Sequence, residues 1–373
     1  APPRNWTRWY ALIRALTEAL MRHFGAEEVR RWYFEVWNEP NINFWTGTMA
    51  QYFRLYDLAA RAIKEVDPAL RVGGPATARV AWIREFTDHV RRPSRDYPLD
   101  VPRCDFISTH VYPSDVAFVD SDRGEVRLQN SNIVRELFRE ARRIVDQAMG
   151  PNFPLICGEW NSSAGPLAFN HDECNNAAFI VKTMLELRPT CQGSLYWNLS
   201  DIYDECGFHY EPFHGGYGLI TVNDVPKAAW HAFAFLREHA SGEERALRWT
   251  GAPEGVGGLA TVRHEVGRLL LYYYVEPDAP APGPVDVTLS GIEAHGALQV
   301  RRVEPGHGSA YETWVELGRP PYVNAAILRR LLRASRPARA LVQGRTVTLH
   351  PGTIAQITFR LRSPRRGSGA GAP

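Results

Sequence analysis

The sequence contains little that would mark a nucleic-acid-binding or membrane protein. Its 43 basic and 41 acidic residues leave a net charge of only +2, and just three of the basic residues are lysine. Outside about the last dozen positions, no basic run is interleaved with aromatic residues, so we expect no nucleic-acid partner. No stretch reaches the roughly eighteen consecutive apolar residues of a membrane span, so we expect no membrane partner either.

Cysteine is also scarce, and its spacing indicates neither a disulfide framework nor a zinc site. No two cysteines form a Cys-x-x-Cys pair. We therefore predict no metal and no cofactor. The chain begins at Ala1 without a signal-like stretch, so we expect the true N-terminus to be missing and leave the compartment undetermined. The cysteines are odd in number and widely spaced: Cys104, Cys157, Cys174, Cys191 and Cys206.

The length of 373 residues favours more than one domain. Up to about residue 239, short apolar runs alternate with longer amphipathic ones, which is the rhythm of a parallel β/α sheet. After Gly242 the chain consists mainly of strand-like pieces separated by Gly and Pro, which is typical of a small β-sandwich. We predict a β/α domain over 1–241, a β-sandwich over 242–362 and a disordered tail over 363–373.

Five apolar runs of the first region are predicted to be strands covered on both faces. They read "WYFEVW", "LRVGG", "FISTHVY", "LICGEW" and "SLYWNL". Apolar residues at helical spacing predict helices between them. The predicted helices lie near residues 6–23, 48–66, 79–91, 130–148, 175–188 and 227–239, with one more near 323–335 in the sandwich region.

Two of the predicted strands deliver a glutamate at their carboxyl ends, where β/α folds bind ligands. Glu39 follows the first strand and Glu159 ends the fourth. A lone glutamate at such a position is more often an ordinary salt-bridged carboxylate. Two of them match the pair that a glycosidase needs, one to protonate the leaving oxygen and one to attack the anomeric carbon.

The first of these glutamates poses a geometric problem, because adjacent residues of a regular strand face opposite ways. Asn38 and Glu39 can reach one site only if the pleat breaks there. Pro40 cannot donate to a strand ladder and favours extended backbone at the residue before it. We therefore predict that the strand ends here with Glu39 in the extended region.

Several motifs, in order and at fitting spacing, resemble glycoside hydrolase family 39, especially its β-D-xylosidase branch. They are "FEVWNEPN", "LRVGGP", "DFISTHVYP", "GEWNSS", "FHGGYGL" and, in the sandwich, "HGSAYETWVELGRP". The resemblance implies a retaining (β/α)8 TIM-barrel glycosidase followed by a β-sandwich. Only five barrel strands are recognisable, and they correspond to strands four to eight. We therefore expect a C-terminal fragment that lacks the first three β/α units.

The resemblance also implies roles for individual residues. Glu39 is the expected general acid/base and Glu159 the nucleophile. Asn38 is expected to bind the 2-hydroxyl of the sugar, while His110 and Tyr112 line the site and Tyr112 donates to the nucleophile. The open alternative for His110 is a buried core histidine.

Three further residues are expected to hold the sugar from other sides. Trp197 resembles the family's stacking tryptophan. Asp204 and Glu205 fall where the family has two glutamates that bind outer hydroxyls, and Asp204 is one methylene shorter. The glycines of "FHGGYGL" are predicted to serve turn geometry.

The expected function is an exo-acting retaining β-xylosidase that releases xylose from xylo-oligosaccharides. Two alternatives stay open. An α-L-iduronidase or another activity of the family would need a basic group for a uronate, for which only Arg79 lies just past a strand end. An inactive, truncated carbohydrate-binding fragment would keep the fold without turnover. A homo-oligomer is compatible with the sequence.

Overall fold

A computed structural model describes residues 1–114, 130–205, 207–276, 279–280, 282–291 and 294–361. The predicted disordered tail, 363–373, and Cys206 lie outside these residues. The chain divides into two compact units. Unit 1 comprises Ala1–Ala164 and Glu186–Trp197, and unit 2 comprises Gly165–Leu185 and Asn198–Pro373. No helix in the described ranges has the length and apolar character needed to cross a bilayer.

The helices follow the amphipathic runs of the sequence closely. Seven predicted helices are present, with ends within a few residues of the expected ones, and α2 and α8 are additional short helices. Their bounds are α1 Trp6–Phe24, α2 Ala26–Val29, α3 Met49–Val66, α4 Ile83–Arg91, α5 Asn132–Met149, α6 Asn175–Leu187, α7 Ala228–Arg237, α8 Tyr311–Glu316 and α9 Ala325–Ala334.

Unit 1 is built on a parallel sheet of five strands in the order β1-β2-β3-β4-β5. Each strand falls on one of the five predicted apolar runs. The strands are β1 Tyr33–Glu35, β2 Arg71–Thr77, β3 Phe106–Val111, β4 Leu155–Trp160 and β5 Gly193–Tyr196. Sequential parallel strands joined by helices agree with a partial TIM barrel.

Local sequence signals explain where α3, which connects β1 to β2, begins and ends. Thr48 caps its first turn: the Thr48 hydroxyl accepts from the Gln51 N–H, and the Gln51 side chain accepts from the Thr48 N–H. The helix stops at Asp67, which precedes Pro68 and has extended backbone. Its buried Tyr52 donates to the carbonyl oxygens of Val36 and Pro75, and so links the helix to both strands.

Unit 2 contains a sheet of seven strands, antiparallel except for the parallel pair β10–β11, and a second sheet of two. The strands are β6 Glu243–Arg245, β7 Val256–Arg263, β8 Val266–Tyr273, β9 Val285–Thr288, β10 Ala294–Pro305, β11 Gly308–Ser309, β12 Ala338–Val342, β13 Thr346–Leu349 and β14 Thr353–Leu361. The larger sheet has the order β11-β10-β14-β8-β7-β6 with β12 also on β10, and β13 pairs with β9.

The two sheets of unit 2 share one apolar core. Leu269 and Leu271 of the large sheet and Val347 and Leu349 of the small one belong to the same buried cluster. Shared burial between two sheets fits the predicted sandwich.

Strand β12 and helix α8 were not among the expected elements, because neither has a long periodic pattern. The predicted domain boundary at 241/242 stays a prediction, since the compact units divide the chain elsewhere.

Candidate active site

Glu39 enters the site through a break in the chain after β1. The strand ends at Glu35, four residues before Glu39. Trp37 and Glu39 have φ values of 71° and 43°, in the left-handed region. The predicted break in the pleat is therefore confirmed, but the expectation of extended backbone at Glu39 was wrong. The positive φ turns the Glu39 side chain inward, where only 7% of the residue is exposed, while Asn38 points out and is exposed.

Hydrogen bonds to the end of β2 and to the residue just past it hold this strained loop in place. The Glu39 N–H donates to the carbonyl of Ala76 over 2.8 Å. The Asn41 side chain accepts from the N–H of Ala78 over 2.8 Å and donates to the Ala78 carbonyl over 3.0 Å. Asn41 is the last residue of the "WNEPN" motif, and this double contact supplies a physical reason for an amide there.

A register shift between β3 and β4 sets the position of Glu159. Thr109 pairs with Cys157, but the next residue of β3, His110, pairs with Glu159, so Gly158 is an extra residue in β4. An extra residue of this kind re-aims the side chains that follow it. A Cβ at Gly158 would lie 3.2 Å from the His110 ring, which explains a glycine at this position.

Four of the predicted residues meet at the carboxyl ends of the strands of unit 1. Nδ1 of His110 lies 2.9 Å from Oε1 of Glu39 and 3.7 Å from Oε2 of Glu159. The Tyr112 hydroxyl donates to Oε1 of Glu159 over 2.5 Å. His110 and Tyr112 are 2% and 6% exposed. The two glutamates and the histidine place one ligand atom each within 4.8 Å of one another.

The pKa of His110 is raised above its ordinary value of 6.5. Burial opposes the charged ring and lowers the pKa, but the hydrogen bond to Glu39 and the charges of Glu159, Glu39 and Glu35 outweigh burial. The His110 ring is thus a buried group whose charged form is favoured by the two glutamates on either side of it.

The same three side chains form a grouping whose geometry is also compatible with a metal ion. Two carboxylates and an imidazole could ligate a divalent cation. A glycosidase pair requires no ion, and the Tyr112 hydroxyl holds one oxygen of Glu159.

Trp197, also in unit 1, is held by a residue whose role the sequence did not reveal. Asn161 is completely buried just past β4. Its side chain donates to the Trp197 carbonyl and accepts from the Tyr196 hydroxyl, the latter over 2.9 Å. The Trp197 N–H donates to the Trp160 carbonyl, so Trp197 is fixed at both its amide and its carbonyl while its ring is half-buried.

Glu35 is a second residue that sequence reasoning missed. It ends β1 and contributes to the raised pKa of His110. A Cβ added at Gly158 would lie 3.3 Å from its Oε2 atom. The signal was a charged residue inside the apolar run "YFEVW", which a fully covered strand would exclude.

Asp204 and Glu205 belong to unit 2 and are both exposed. Glu205 lines a narrow pocket of about 20 Å³ with Tyr203, His209, His214 and Tyr217. The Tyr203 hydroxyl donates to Glu205. Asp204 does not line this pocket; its carboxylate accepts from the Gly207 N–H over 3.0 Å instead. The shorter side chain of Asp204 therefore serves a turn in this structure.

A family model provides the first comparison with known proteins. The model described as "Glycosyl hydrolases family 39" matches residues 1–348. This match covers both the parallel sheet and most of the sandwich region, and it confirms the relationship that the motifs indicated.

Individual relatives include β-xylosidases. The chain is 37% identical to a β-xylosidase of Caldicellulosiruptor saccharolyticus over 90% of its length and 67% of that protein. It is 33% identical to one of Geobacillus stearothermophilus over 86% of its length and 62% of that protein. The human α-L-iduronidase is more distant, at 24% identity over 92% of the chain and 58% of that protein.

A solved structure agrees with these relatives. A family 39 β-xylosidase from Caulobacter crescentus superposes with a TM-score of 0.77 at 31% identity, over 95% of this chain and 72% of that one. The likeness supports a partial TIM barrel followed by a sandwich. The chain thus spans about two thirds of the length of the relatives it matches.

Proposed function

The chain belongs to glycosyl hydrolase family 39, and on this premise we propose that it acts as a retaining, exo-acting β-xylosidase. The proposed substrate is a xylo-oligosaccharide, from whose non-reducing end xylose is released. The observation that carries the proposal is the pair of Glu39 and Glu159, with carboxylate oxygens within 4.8 Å of each other. Retaining enzymes hold their carboxyl groups about 5 Å apart, whereas inverting ones need roughly 6.5–9.5 Å.

In the proposed mechanism Glu39 is the general acid and Glu159 the nucleophile. Glu39 protonates the oxygen of the leaving sugar while a Glu159 oxygen attacks the anomeric carbon, so the glycosidic bond breaks as a xylosyl ester forms. Glu39, now ionised, takes a proton from water, and the water oxygen attacks the same carbon and displaces Glu159.

The neighbours of the two glutamates support this division of roles. Tyr112 donates to Glu159 and holds one of its oxygens, which leaves the other for attack. His110 lies within hydrogen-bond distance of Glu39, and its Nδ1 atom is 3.7 Å from Oε2 of Glu159. The buried ring is thereby placed to orient the proposed proton donor.

We assign the remaining predicted residues to sugar binding. Asn38, exposed beside Glu39, is proposed to bind the 2-hydroxyl, and the Trp197 ring is proposed to stack on the pyranose. Glu205 is proposed to bind an outer hydroxyl, because its exposed carboxylate can accept hydrogen bonds from a sugar. Asp204 is also proposed as a sugar ligand, which requires its carboxylate to release the Gly207 N–H.

An α-L-iduronidase activity is the second candidate, favoured by the human relative and by Arg79. That arginine is exposed just past β2 with φ of 63°. A uronate carboxylate left without a cationic partner in the site would be strongly disfavoured. The relatives at 33–37% identity are β-xylosidases, which is why xylose is preferred.

The deciding experiment compares aryl β-D-xyloside and aryl α-L-iduronide as substrates of the full-length protein. We expect kcat/KM to favour the xyloside by at least about a hundredfold. The Glu159→Gln variant is the control for contaminating activity and should cleave neither. Preference for the iduronide would favour the second candidate, and xylose binding without cleavage of either substrate would favour a non-catalytic carbohydrate-binding protein.

A further inference from the structure

Unit 2 contains a cluster of three charged side chains, all completely buried, that the proposed mechanism does not use. Nζ of Lys227 lies 2.5 Å from Oδ1 of Asp172 and 2.6 Å from Oδ2 of Asp201. Its third partner is the carbonyl oxygen of Gly216, at 2.9 Å. The three hydrogens of the ammonium group are thus matched by three acceptors.

The remaining polar atoms of the cluster hold the backbone of the loop 215–218, the "GGYG" of the "FHGGYGL" motif. Oδ2 of Asp172 accepts from the Gly215 N–H over 2.7 Å, and Oδ1 of Asp201 accepts from the Gly218 N–H over 2.7 Å. The three charges therefore bond to three backbone groups within four consecutive residues. A buried network of charges with directional bonds to the backbone favours one conformation of the loop.

The glycines of this loop permit the close approach. A Cβ at Gly216 would lie 2.4 Å from Oδ1 of Asp201, and one at Gly218 would lie 2.4 Å from the Asp201 nitrogen. Only Gly215 has a positive φ, of 79°. The expectation that these glycines serve turn geometry therefore holds for Gly215. At Gly216 and Gly218 the chain needs a glycine for another reason, because atoms of Asp201 and its neighbour pack where a Cβ would lie.

The loop connects the cluster to the pocket that contains Glu205. Tyr217 lies between Gly216 and Gly218, and its ring packs at 5.9 Å against the ring of Tyr203. The Tyr203 hydroxyl donates to Glu205. The path from the buried charges to the carboxylate of Glu205 therefore consists of one loop and two tyrosine rings, all within unit 2.

Stability alone does not account for the cluster. A buried ion pair often contributes no more than apolar residues of similar volume, because desolvation offsets the attraction. Burial and the charge of Asp201 raise the pKa of Asp172, while the two aspartates raise the pKa of Lys227 despite its burial. Apolar residues could not form the hydrogen bonds that the three charged side chains make to the backbone of the loop 215–218.

We propose that Lys227, Asp172 and Asp201 are positioning residues that hold the Gly215–Gly218 loop, and through Tyr217 and Tyr203 hold Glu205, in the geometry that binds an outer hydroxyl of the sugar. This assignment rests on the proposed function, because it takes a hydroxyl of the sugar as the ligand of Glu205. It predicts an effect on sugar affinity rather than on bond cleavage.

Two variants test the assignment from different directions. Lys227→Met removes the cation without adding volume to the pocket. Gly218→Ala keeps all three charges but displaces the loop from Asp201, because its Cβ would clash with the Asp201 backbone. Gly218 does not line the pocket, so the substitution does not change the pocket directly. The matched control is Gly283→Ala, also in unit 2, where a Cβ meets nothing within 4 Å and φ is ordinary. Circular dichroism and thermal unfolding establish that each variant folds.

KM and kcat for an aryl β-xyloside, and Kd for xylose by calorimetry, are then measured. We expect Lys227→Met and Gly218→Ala to raise KM and Kd about tenfold with kcat within about threefold of wild type, as for loss of uniform binding. Gly283→Ala should match wild type. If Lys227→Met does not fold, Gly218→Ala decides alone. A folded Gly218→Ala protein with KM and Kd within twofold of wild type overturns the assignment, as does a loss confined to kcat.

Failure of the proposed function is distinguishable from failure of this assignment. A wild-type protein that binds xylose but cleaves no xyloside refutes the proposed reaction, and the Kd comparison still decides the role of the cluster. A wild-type protein that cleaves the xyloside while both variants keep its KM refutes the cluster alone. A wild-type protein that neither binds nor cleaves refutes both.

Discussion

A carboxylate oxygen of Glu39 lies within 4.8 Å of a carboxylate oxygen of Glu159. The two residues are 120 positions apart in the chain, and they meet because Glu39 follows β1 and Glu159 lies at the end of β4 in one parallel sheet. This separation leaves too little room for a water molecule activated by one carboxylate on the face opposite the other. The stereochemical outcome of hydrolysis should therefore be retention.

Retention is directly observable. Proton NMR of the early reaction on an aryl β-D-xyloside should show β-xylose first, with α-xylose appearing only by mutarotation. A reference solution of β-xylose under the same buffer calibrates the mutarotation rate. Initial accumulation of α-xylose would refute Glu159 as a covalent nucleophile.

The two glutamates should respond differently to the leaving group. Glu39→Ala should slow hydrolysis of xylobiose by about 10³-fold but cost much less on a dinitrophenyl xyloside, whose leaving oxygen needs little protonation. Glu159→Gln should slow hydrolysis of both substrates about equally, since the attacking group is lost. The measurement is kcat/KM on the two substrates, and equal losses for Glu39→Ala would contradict its role as the acid.

Tyr112→Phe should lower kcat/KM by roughly tenfold to a hundredfold while leaving the protein folded. The substitution removes the hydroxyl that donates to Glu159 over 2.5 Å and thereby frees the nucleophile to rotate. Tyr97→Phe is a matched control in the same unit, because that buried hydroxyl donates only to the Val101 and Pro102 carbonyls. Similar activity losses for the two variants would indicate a structural effect.

Gly158→Ala should reduce kcat/KM about tenfold, because its Cβ would lie 3.2 Å from the His110 ring and displace it by a few tenths of an ångström. Gly193→Ala, on the adjacent strand β5, is the control, since its Cβ would meet nothing within 4 Å. Kinetics on an aryl xyloside check the difference. Full activity of Gly158→Ala would show that kcat/KM does not depend on the position of the His110 ring.

The raised pKa of His110 makes stability depend on pH with a defined sign. The folded protein binds the His110 proton more tightly than the unfolded chain, so this contribution is complete below about pH 6.5. It is lost as the pH rises through the folded-state pKa, because the unfolded chain releases its proton first. The free energy of unfolding should therefore fall over that window.

Urea unfolding at a series of pH values measures the slope, and His110→Gln should flatten it. The carboxylates that raise the pKa are those of Glu39, Glu159 and Glu35, and they remain in the variant. The exposed His23 provides the control substitution, His23→Gln, which should leave the slope unchanged. An unaltered slope in His110→Gln would show that the buried ring does not carry the extra proton.

The sequence by itself determined the elements of the fold and the order of the motifs. Strand β4 begins and ends where "LICGEW" does, and α3 begins and ends within one residue of the predicted 48–66, because periodicity, capping and proline act over a few residues. The polar residues at strand ends were also visible, since a polar group interrupting an apolar run is a local signal. Glu39 and Glu159 could be named for that reason, whereas the roles of His110 and Tyr112 rested on the resemblance to the family.

Only the tertiary structure decided how these residues are aimed. The positive φ of Glu39, the extra residue at Gly158 and the contacts of Asn161 each depend on a partner strand or segment distant in sequence. The burial of Lys227 between Asp172 and Asp201 depends on segments up to 55 residues apart. Hydrogen-bond register and the pairing of buried charges arise from long-range packing, and a local residue pattern does not contain that information.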